Sequence, residues 1–332
     1  VIYNSDGQVK VIEVSGSTFT GIKAVDGSLN VVFNDGSAKG IYHSCGALNA
    51  ILVTEKPSAI QAPNGSVYVF ETDSGYVLHN QSKAVPTLTP ANYDPILALG
   101  SDLIEMWDAS RGDSVFALTD ATYTNAVHSW KGLVTGANLA QSTPNLKPIY
   151  SSTGLSGTPC LTFNGTSQWM KCTDANFLAL LPTDATACEI WVLCSQDVAA
   201  ADATTRHAVG YSASSVVNGR SLARLPVSSV NRARAYTGTG AAATTATDTH
   251  VDFSGVHVIR GIFGATATSI DVDSNTAVSA TVTPVTSTPT LFMVGSIPAL
   301  AASNWWQGKI STILLTKPLS GAKATALHNY LG

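Results

Sequence analysis

Apolar and polar residues alternate in this chain in short runs, and a turn residue closes each run within a few positions. The alternation is plain in Cys160-Leu161-Thr162-Phe163, in Glu189-Ile190-Trp191-Val192-Leu193-Cys194, in Val256-His257-Val258-Ile259-Arg260 and in Ser269-Ile270-Asp271-Val272-Asp273. A period of two sends successive side chains to opposite faces of a strand, so each run has one face to bury. Helix formers are scarce: glutamate occurs only at positions 13, 55, 71, 105 and 189, while Thr, Ser, Ala, Gly and Val dominate. The chain reads as all-β.

A repeat organises the N-terminal segment. In register it reads YNSDGQVKVIEVSGSTFTGI (3–22), KAVDGSLNVVFNDGSAKGI (23–41), YHSCGALNAILVTEKPSAI (42–60) and QAPNGSVYVFETDSGYVLH (61–79), with Gly7, Gly27, Gly46 and Gly65 at steps of 20, 19 and 19. Each unit holds a D-G, C-G or N-G turn, an alternating strand, a second turn and a short strand. One unit cannot bury its apolar face alone, whereas four stacked units, or several chains wound together, can. Two architectures fit, a small β-sandwich of four hairpins and a β-solenoid or intertwined shaft. The stretch KAVPTLTPANYDP (83–95) carries three prolines and no hydrophobic periodicity, so it reads as a linker. The expected organisation is a four-repeat β module at 1–85, a linker at 86–95 and a second domain at 96–332.

In that second domain the strands are longer, with turn signals at Asn164-Gly165, Asn218-Gly219, Asp273-Ser274-Asn275 and Gln307-Gly308. A segment of this length and pattern suits a two-sheet jelly roll. The end differs: Ser320 is a good N-cap, and Ala322, Ala326 and Tyr330 beside Leu327 and Leu331 form an apolar stripe. One short C-terminal helix, over 320–331, is expected.

Only 12% of residues are charged, with a net charge of -4. There is no basic footprint for nucleic acid. No apolar run approaches the roughly 20 residues of a membrane-spanning helix, and the start shows no signal-like segment, so a soluble chain is expected.

The segments LIEMWDAS (103–110), VHSWKGLVTGANLAQSTPNLKPIY (127–150), GLSGTPCLTFNGTSQWM (154–170), EIWVLC (189–194) and WWQGKISTILLTKPLSGAKATALHNYLG (305–332) occur in that order. Together they resemble the concanavalin A-like, laminin G-like jelly rolls of bacterial and phage surface proteins. The resemblance runs from Leu103 to Gly332 and implies a sandwich whose ends and concave face serve as binding surfaces. It makes Phe163 and Trp191 core residues, Asn164-Gly165 a turn, and Ile310, Ile313 and Leu315 a buried last strand. The D-G-S repeats are similar to N-terminal modules of phage virion proteins. These likenesses imply a structural protein on the virion surface, a fibre, spike or capsid decoration, joined to other virion proteins. They fit a homotrimer if the repeats form a shaft.

No catalytic pattern is complete. A retaining glycosidase needs two carboxylates about 5–5.5 Å apart, and neither Glu105 nor Glu189 has a second acid at even spacing within its strand. Gly112-Asp113-Ser114 matches one esterase motif without its partner blocks, and with Arg111 it spells R-G-D. Ser320-Gly321-Ala322-Lys323 matches S-x-x-K without the accompanying triplets. No enzyme is expected. The seven histidines show no paired spacing, so no cofactor is expected beyond a calcium candidate at Asp271, Asp273 and Asn275, whose other reading is a solvated hairpin tip. The five cysteines lack C-x-x-C spacing and read as buried small hydrophobes, with a cross-hairpin disulfide between Cys160 and Cys172 as the alternative.

Aromatic rings remain as ligand platforms, because an exposed ring offers a flat apolar face to a sugar. Trp130, Trp169, Trp305 and Trp306 are the candidates. Of the adjacent pair Trp305-Trp306, one side chain must point into the core and the other outward. The loops Tyr123–Trp130, Asp197–Arg206 and Ala299–Asn304 are long enough to form a rim, and Asp197, Asp202 and Arg206 carry hydrogen-bonding groups. The expected ligand residues for host surface polysaccharide are Trp130 and Trp305 as stacking platforms and Asn304 as an orienting amide. A purely structural role without ligand is the competing expectation.

Overall fold

The structure is a computed structural model. It describes residues 93–332 apart from 112–113, 119–123, 184–185, 198–201, 214–217, 285–287 and 300–302, and within residues 1–92 it describes the backbone of nine strands. The expected linker lies mostly outside the described residues. The chain divides into two compact units, Val1–Thr89 and Pro90–Gly332.

In the first unit the strands are β1 (Ile2–Tyr3), β2 (Val9–Val11), β3 (Ile22–Lys23), β4 (Asn30–Asn34), β5 (Ala38–Tyr42), β6 (Leu48–Val53), β7 (Ile60–Gln61), β8 (Val67–Thr72) and β9 (Tyr76–Asn80). They form antiparallel sheets ordered β1-β2, β3-β4-β5-β6 and β7-β8-β9. β2, β4, β6 and β8 each begin two or three residues after the repeat glycines Gly7, Gly27, Gly46 and Gly65. The sequence repeat is therefore a repeat of strand positions.

The second unit holds α1 (Pro95–Leu99), β10 (Leu103–Asp108), β11 (Val115–Leu118), β12 (Ala126–Lys131), β13 (Asn138–Ala140), β14 (Ile149–Leu155), β15 (Thr158–Asn164), β16 (Met170–Cys172), α2 (Ala175–Leu178) and β17 (Cys188–Gln196). After these come β18 (Arg206–Ser212), β19 (Gly219–Val227), β20 (Val230–Gly238), β21 (Ala243–Thr247), β22 (Gly255–Phe263), β23 (Ala267–Val272), β24 (Val278–Thr281), β25 (Leu291–Val294), β26 (Gln307–Thr316) and α3 (Gly321–Leu331).

All pairings between these strands are antiparallel. One layer is built on β26, whose first half pairs with β15 and second half with β10, while β17 runs along its other edge and leads to β22, β23 and β24. The other layer runs β11-β12-β13-β16-β25-β18-β19-β20-β21. The layers meet where β14, the partner of β15, pairs with β12 at Ala126 and Ile149, which nearly closes the sheet into a barrel. Between the layers sit Trp107, Trp130, Phe163, Phe177, Phe253, Phe263, Phe292 and Trp306. Trp107 stacks on Phe292 at 5.0 Å and meets the edge of Phe177 at 5.4 Å.

A second apolar cluster lies outside the first layer, where Trp191, Leu193, Val258 and Leu314 are covered by Ala324, Leu327 and Leu331 of α3. β17 is consequently buried at all nine positions, on one side by the core and on the other by this cover. Trp191 is buried, as the resemblance implies, but in the outer cluster. Ser320 caps α3, its Oγ accepting from the Lys323 N–H at 3.5 Å. The buried stripe is Ala324, Leu327 and Leu331, and Ala322 is exposed.

Ile310, Ile313 and Leu315 are fully buried in the inner core, and a register shift against β17 between Ile310 and Thr312 lets both isoleucines face inward. Gly308 opens β26 rather than a hairpin tip: at φ 148° its position would put a Cβ 2.2 Å from the Ser195 carbonyl oxygen, so the strands approach only because no side chain is there.

The expected C-terminal helix is present and the four described cysteines are buried as read, and three local features add to or depart from the sequence pattern. Two short helices, α1 and α2, add to the C-terminal one; Asp94 and Asp174 cap them by accepting from backbone N–H groups two or three residues on. Asn164-Gly165 does not join a hairpin, because β15 pairs with β14 and β26 while β16 pairs with β13 and β25. Cys160 and Cys172 are therefore not cross-strand neighbours. Both are free thiols, Cys160 in the outer cluster and Cys172 in the inner core.

Candidate functional site

The chemistry of the tryptophan pair follows from strand geometry. Trp306 is fully buried in the core, and Trp305 is half-buried on the other side of the backbone. Asn304, just before, takes a left-handed conformation at φ 52°, which asparagine tolerates better than most residues. Its carbonyl accepts from the His207 N–H at 3.0 Å, and Trp305 forms a parallel bridge with His207. The His207 ring lies 5.1 Å from the Tyr236 ring, and its Nδ1 is 3.0 Å from Ser221 Oγ. Burial disfavours the charged imidazole and pushes its pKa down to about 3.

Beside this group β20 alternates Ala233 and Ala235, packed in the core, with Arg232, Arg234 and Tyr236 on the outer face. Thr247 lies opposite Arg234 and Thr245 opposite Tyr236. Arg232 donates to the Val251 carbonyl at 2.9 Å. Arg234 Nε is buried without a partner among the described residues. The outer face of β18–β21 thus carries an indole, a phenol, guanidinium groups and threonine hydroxyls. The signal for this row in the sequence is small alanines interleaved with Arg and Tyr, a pattern that the aromatic candidates do not include.

Trp130 is not part of the surface. It sits on β12 opposite Leu139, fully buried between the layers, and no face of its ring is open to a ligand. Trp169 is half-buried, with Lys171 Nζ 5.8 Å from its ring. Arg206 is committed to protein groups: Asp202 at 2.6 and 3.1 Å, the Gly165 carbonyl at 2.7 Å and the Trp305 carbonyl at 3.0 Å. That hydrogen bonding holds the Asp202 carboxyl well below the usual carboxylate range. Asp197 is exposed. Residues 119–123, 198–201 and 300–302 of the expected rim loops and their surroundings, and Gly112-Asp113 of the R-G-D motif, lie outside the described residues.

The acids form a cluster that within-strand spacing did not reveal. On the outer face of the first layer Trp191, Arg260 and Asp271 stand opposite one another on adjacent strands. Arg260 donates to Glu189 at 2.7 and 3.1 Å and reaches Asp271 at 3.5 Å, with its guanidinium carbon 4.8 Å from the Trp191 ring centre. Glu189 also accepts from Trp191 Nε1 at 3.0 Å and from the Leu319 N–H at 3.1 Å. With four donors on a buried carboxylate, Glu189 ties the approach to α3 onto the sheet. It is not presented to a cleft as a glycosidase acid would be. Glu105, also fully buried, accepts from the N–H groups of Met106, Val134 and Thr135 and from the Thr135 hydroxyl.

The calcium candidate separates in space. Asp271 faces Arg260, whereas Asp273 lies past the end of β23 at φ 53°, 2.6 Å from His257 Nδ1 and 3.0 Å from the Val258 N–H. Asn275 uses its Nδ2 on the Val272 carbonyl at 2.9 Å. Among the described residues no three His, Cys, Asp or Glu side chains are grouped to hold a metal ion. No described helix is long and apolar enough to cross a membrane.

No protein-family model matches the chain. No curated protein sequence matches it either. Solved structures give faint likenesses. A mutant of NanB sialidase from Streptococcus pneumoniae is 11% identical over 50% of this chain and 27% of its own, with a TM-score of 0.38. The binding domain of botulinum neurotoxin serotype D is 8% identical over 71% and 52%, with a TM-score of 0.42. Domain 4 of an extracellular arabinanase from Geobacillus stearothermophilus, in complex with arabinotriose, is 12% identical over 68% and 98%, with a TM-score of 0.42. The chain thus spans about a quarter to a half of the first two structures, and its ligand chemistry is read from its own residues.

Proposed function

We propose that this chain is a non-enzymatic component of a virus particle's exterior whose jelly roll binds glycans through the outer face of β18–β21. The observation that carries this reading is the half-buried Trp305 bridged to His207, whose ring lies 5.1 Å from that of Tyr236 on the face that also carries Arg234, with Trp306 turned into the core. A ring face, a guanidinium and threonine hydroxyls on one surface supply both the apolar contact and the hydrogen bonds that a sugar requires. The repeated first unit serves as the attachment or shaft module and pairs with other virion proteins. Closing its strand edges by symmetry favours a homotrimer. Calcium has no part in this proposal, since Asp273 is engaged by His257.

Binding of the purified protein to host cells or a surface polysaccharide array tests the reading, with Trp305→Ala and Arg234→Ala as variants and circular dichroism as the fold control. Binding that both variants weaken at least about tenfold supports it. Equal binding by folded variants places the contact elsewhere.

A second reading, an assembly or decoration protein without ligand, is favoured by one observation. Arg206, at the Trp305 end, gives four hydrogen bonds to protein acceptors. Absence of glycan binding by a parent protein that light scattering shows to be trimeric selects that reading.

A further inference from the structure

A cleft of about 240 Å³ lies between α3 and the turn after β23, on the outer side of the first layer, lined by Trp191, Arg260, Asp271, Asn275, Thr325 and His328 among others. It belongs to the opposite layer from Trp305. Its polar groups are incompletely used. Asp271 is 6% exposed, and its carboxylate has one hydrogen-bond partner among the described residues, Arg260 at 3.5 Å. His328 Nδ1 is buried with no partner among them. Asn275, at the open side, spends its Nδ2 on a backbone carbonyl and keeps its Oδ1. A buried polar atom without a partner is costly, so His328 Nδ1 and the half-used Asp271 carboxylate around one space call for an occupant that bonds to them.

We propose that this cleft binds one small, neutral, polyhydroxylated ligand, a single sugar unit or a polyol, through Asp271, His328 and Asn275. Other classes fit less well. Glu189, Arg260 and Asp271 together carry one net negative charge, which repels an anion, and among the described residues no three His, Cys, Asp or Glu side chains are grouped there to hold a metal ion. A flat aromatic ligand finds no platform, since Trp191 is 1% exposed and carries the Arg260 guanidinium on its ring. A polyol offers donors to Asp271 and Asn275 and either partner to His328. At about 240 Å³ the space is below the roughly 300–1,000 Å³ of pockets that enclose drug-sized ligands, which suits one unit rather than a chain. The cleft and the Trp305 face are separate sites, and either can fail without the other.

The test titrates the full chain with D-glucose, D-galactose and glycerol while the His328 ring resonances are followed by NMR. A saturable shift in the millimolar range with at least one probe is expected, weakened about tenfold or more in Asp271→Asn and unchanged in Trp305→Ala. Thr325→Leu, at an exposed helix position lining the cleft, should block the same shift and serves if Asp271→Asn does not fold. No saturable shift with any of the three probes overturns the proposal, as does an undiminished shift in folded Asp271→Asn or Thr325→Leu. Loss of polysaccharide binding in Trp305→Ala with the His328 shift intact separates this site from the glycan face.

Discussion

Arg260 reaches Glu189 with two hydrogen bonds, at 2.7 and 3.1 Å, and the same carboxylate holds the Leu319 N–H at the approach to α3. Glu189 is 1% exposed and Arg260 is half-buried, and removing the arginine leaves a buried carboxylate uncompensated. Arg260→Met should cost about 3–5 kcal/mol in a denaturant titration. Glu189→Gln should also speed amide hydrogen exchange across α3. Exchange in α3 identical to that of the parent would show that this carboxylate does not tether the helix.

The cover of the first layer depends on a few side chains of α3. Leu327 is fully buried against Trp191 and Leu314, and Leu327→Ala should lower stability by about 2–5 kcal/mol through the cavity it leaves. Ser320→Ala removes only a cap and should cost about 1 kcal/mol. Thermal unfolding of the two variants gives the order. A larger loss from Ser320→Ala would mean that the helix is held by its end and not by its face.

Four thiols are sealed by packing. Cys160, Cys172, Cys188 and Cys194 are all buried, and burial is the main cause pushing the pKa of Cys160, Cys172 and Cys194 up, away from the reactive thiolate. A thiol reagent added to native protein should leave these four unlabelled by peptide mass mapping, and denaturant should release all four. Labelling of Cys160 in the native state would mean that the outer cluster opens.

Acid should weaken the fold through His207. Its folded pKa of about 3 is below the ordinary 6.5, so the unfolded chain binds the extra proton in that window and stability falls as pH drops from about 6.5 toward 3. Asp271 acts in the opposite sense. Burial raises it to about 6 from 3.8, so the folded state holds its proton first and gains stability as pH falls from about 6 to 4. The His207 shift is the larger, and the sum of these two should fall with acid. Denaturation midpoints measured from pH 7 to 4 should drop less in His207→Asn and more steeply in Asp271→Asn. Identical slopes in parent and both variants would remove these two groups as the cause.

Much of the architecture was legible because it is written in local periodicity. The alternating runs at 160–163, 189–194, 256–260 and 269–272 are strands, and the Ser320 cap opens a helix. The tryptophan pair divided as strand geometry requires. Period two assigns residues to a face without saying what covers that face. The pattern around Trp130 therefore allows an outward ring, whereas β11, β13 and the opposite layer enclose it. Trp191 and Glu189 lie under a helix that begins only at Gly321, far along the chain. The Glu189–Arg260–Asp271 group spans three strands, so no spacing within one strand encodes it. The disulfide alternative failed for the same reason: Asn164-Gly165 has the chemistry of a hairpin turn, but pairing with β26 and β25 pulls β15 and β16 apart.

The position of β26 sets the timing of folding. Its neighbours β10, β15 and β17 are made long before it, yet each needs β26 to complete its ladder. During synthesis those strands wait with open edges, and the closure that joins them carries a large entropic cost. The jelly roll cannot mature piecemeal as the ribosome advances. It closes in one late step once residues 307–316 emerge, and until then the waiting edges, on a chain with only 12% charged residues, are open to pairing with other sheets.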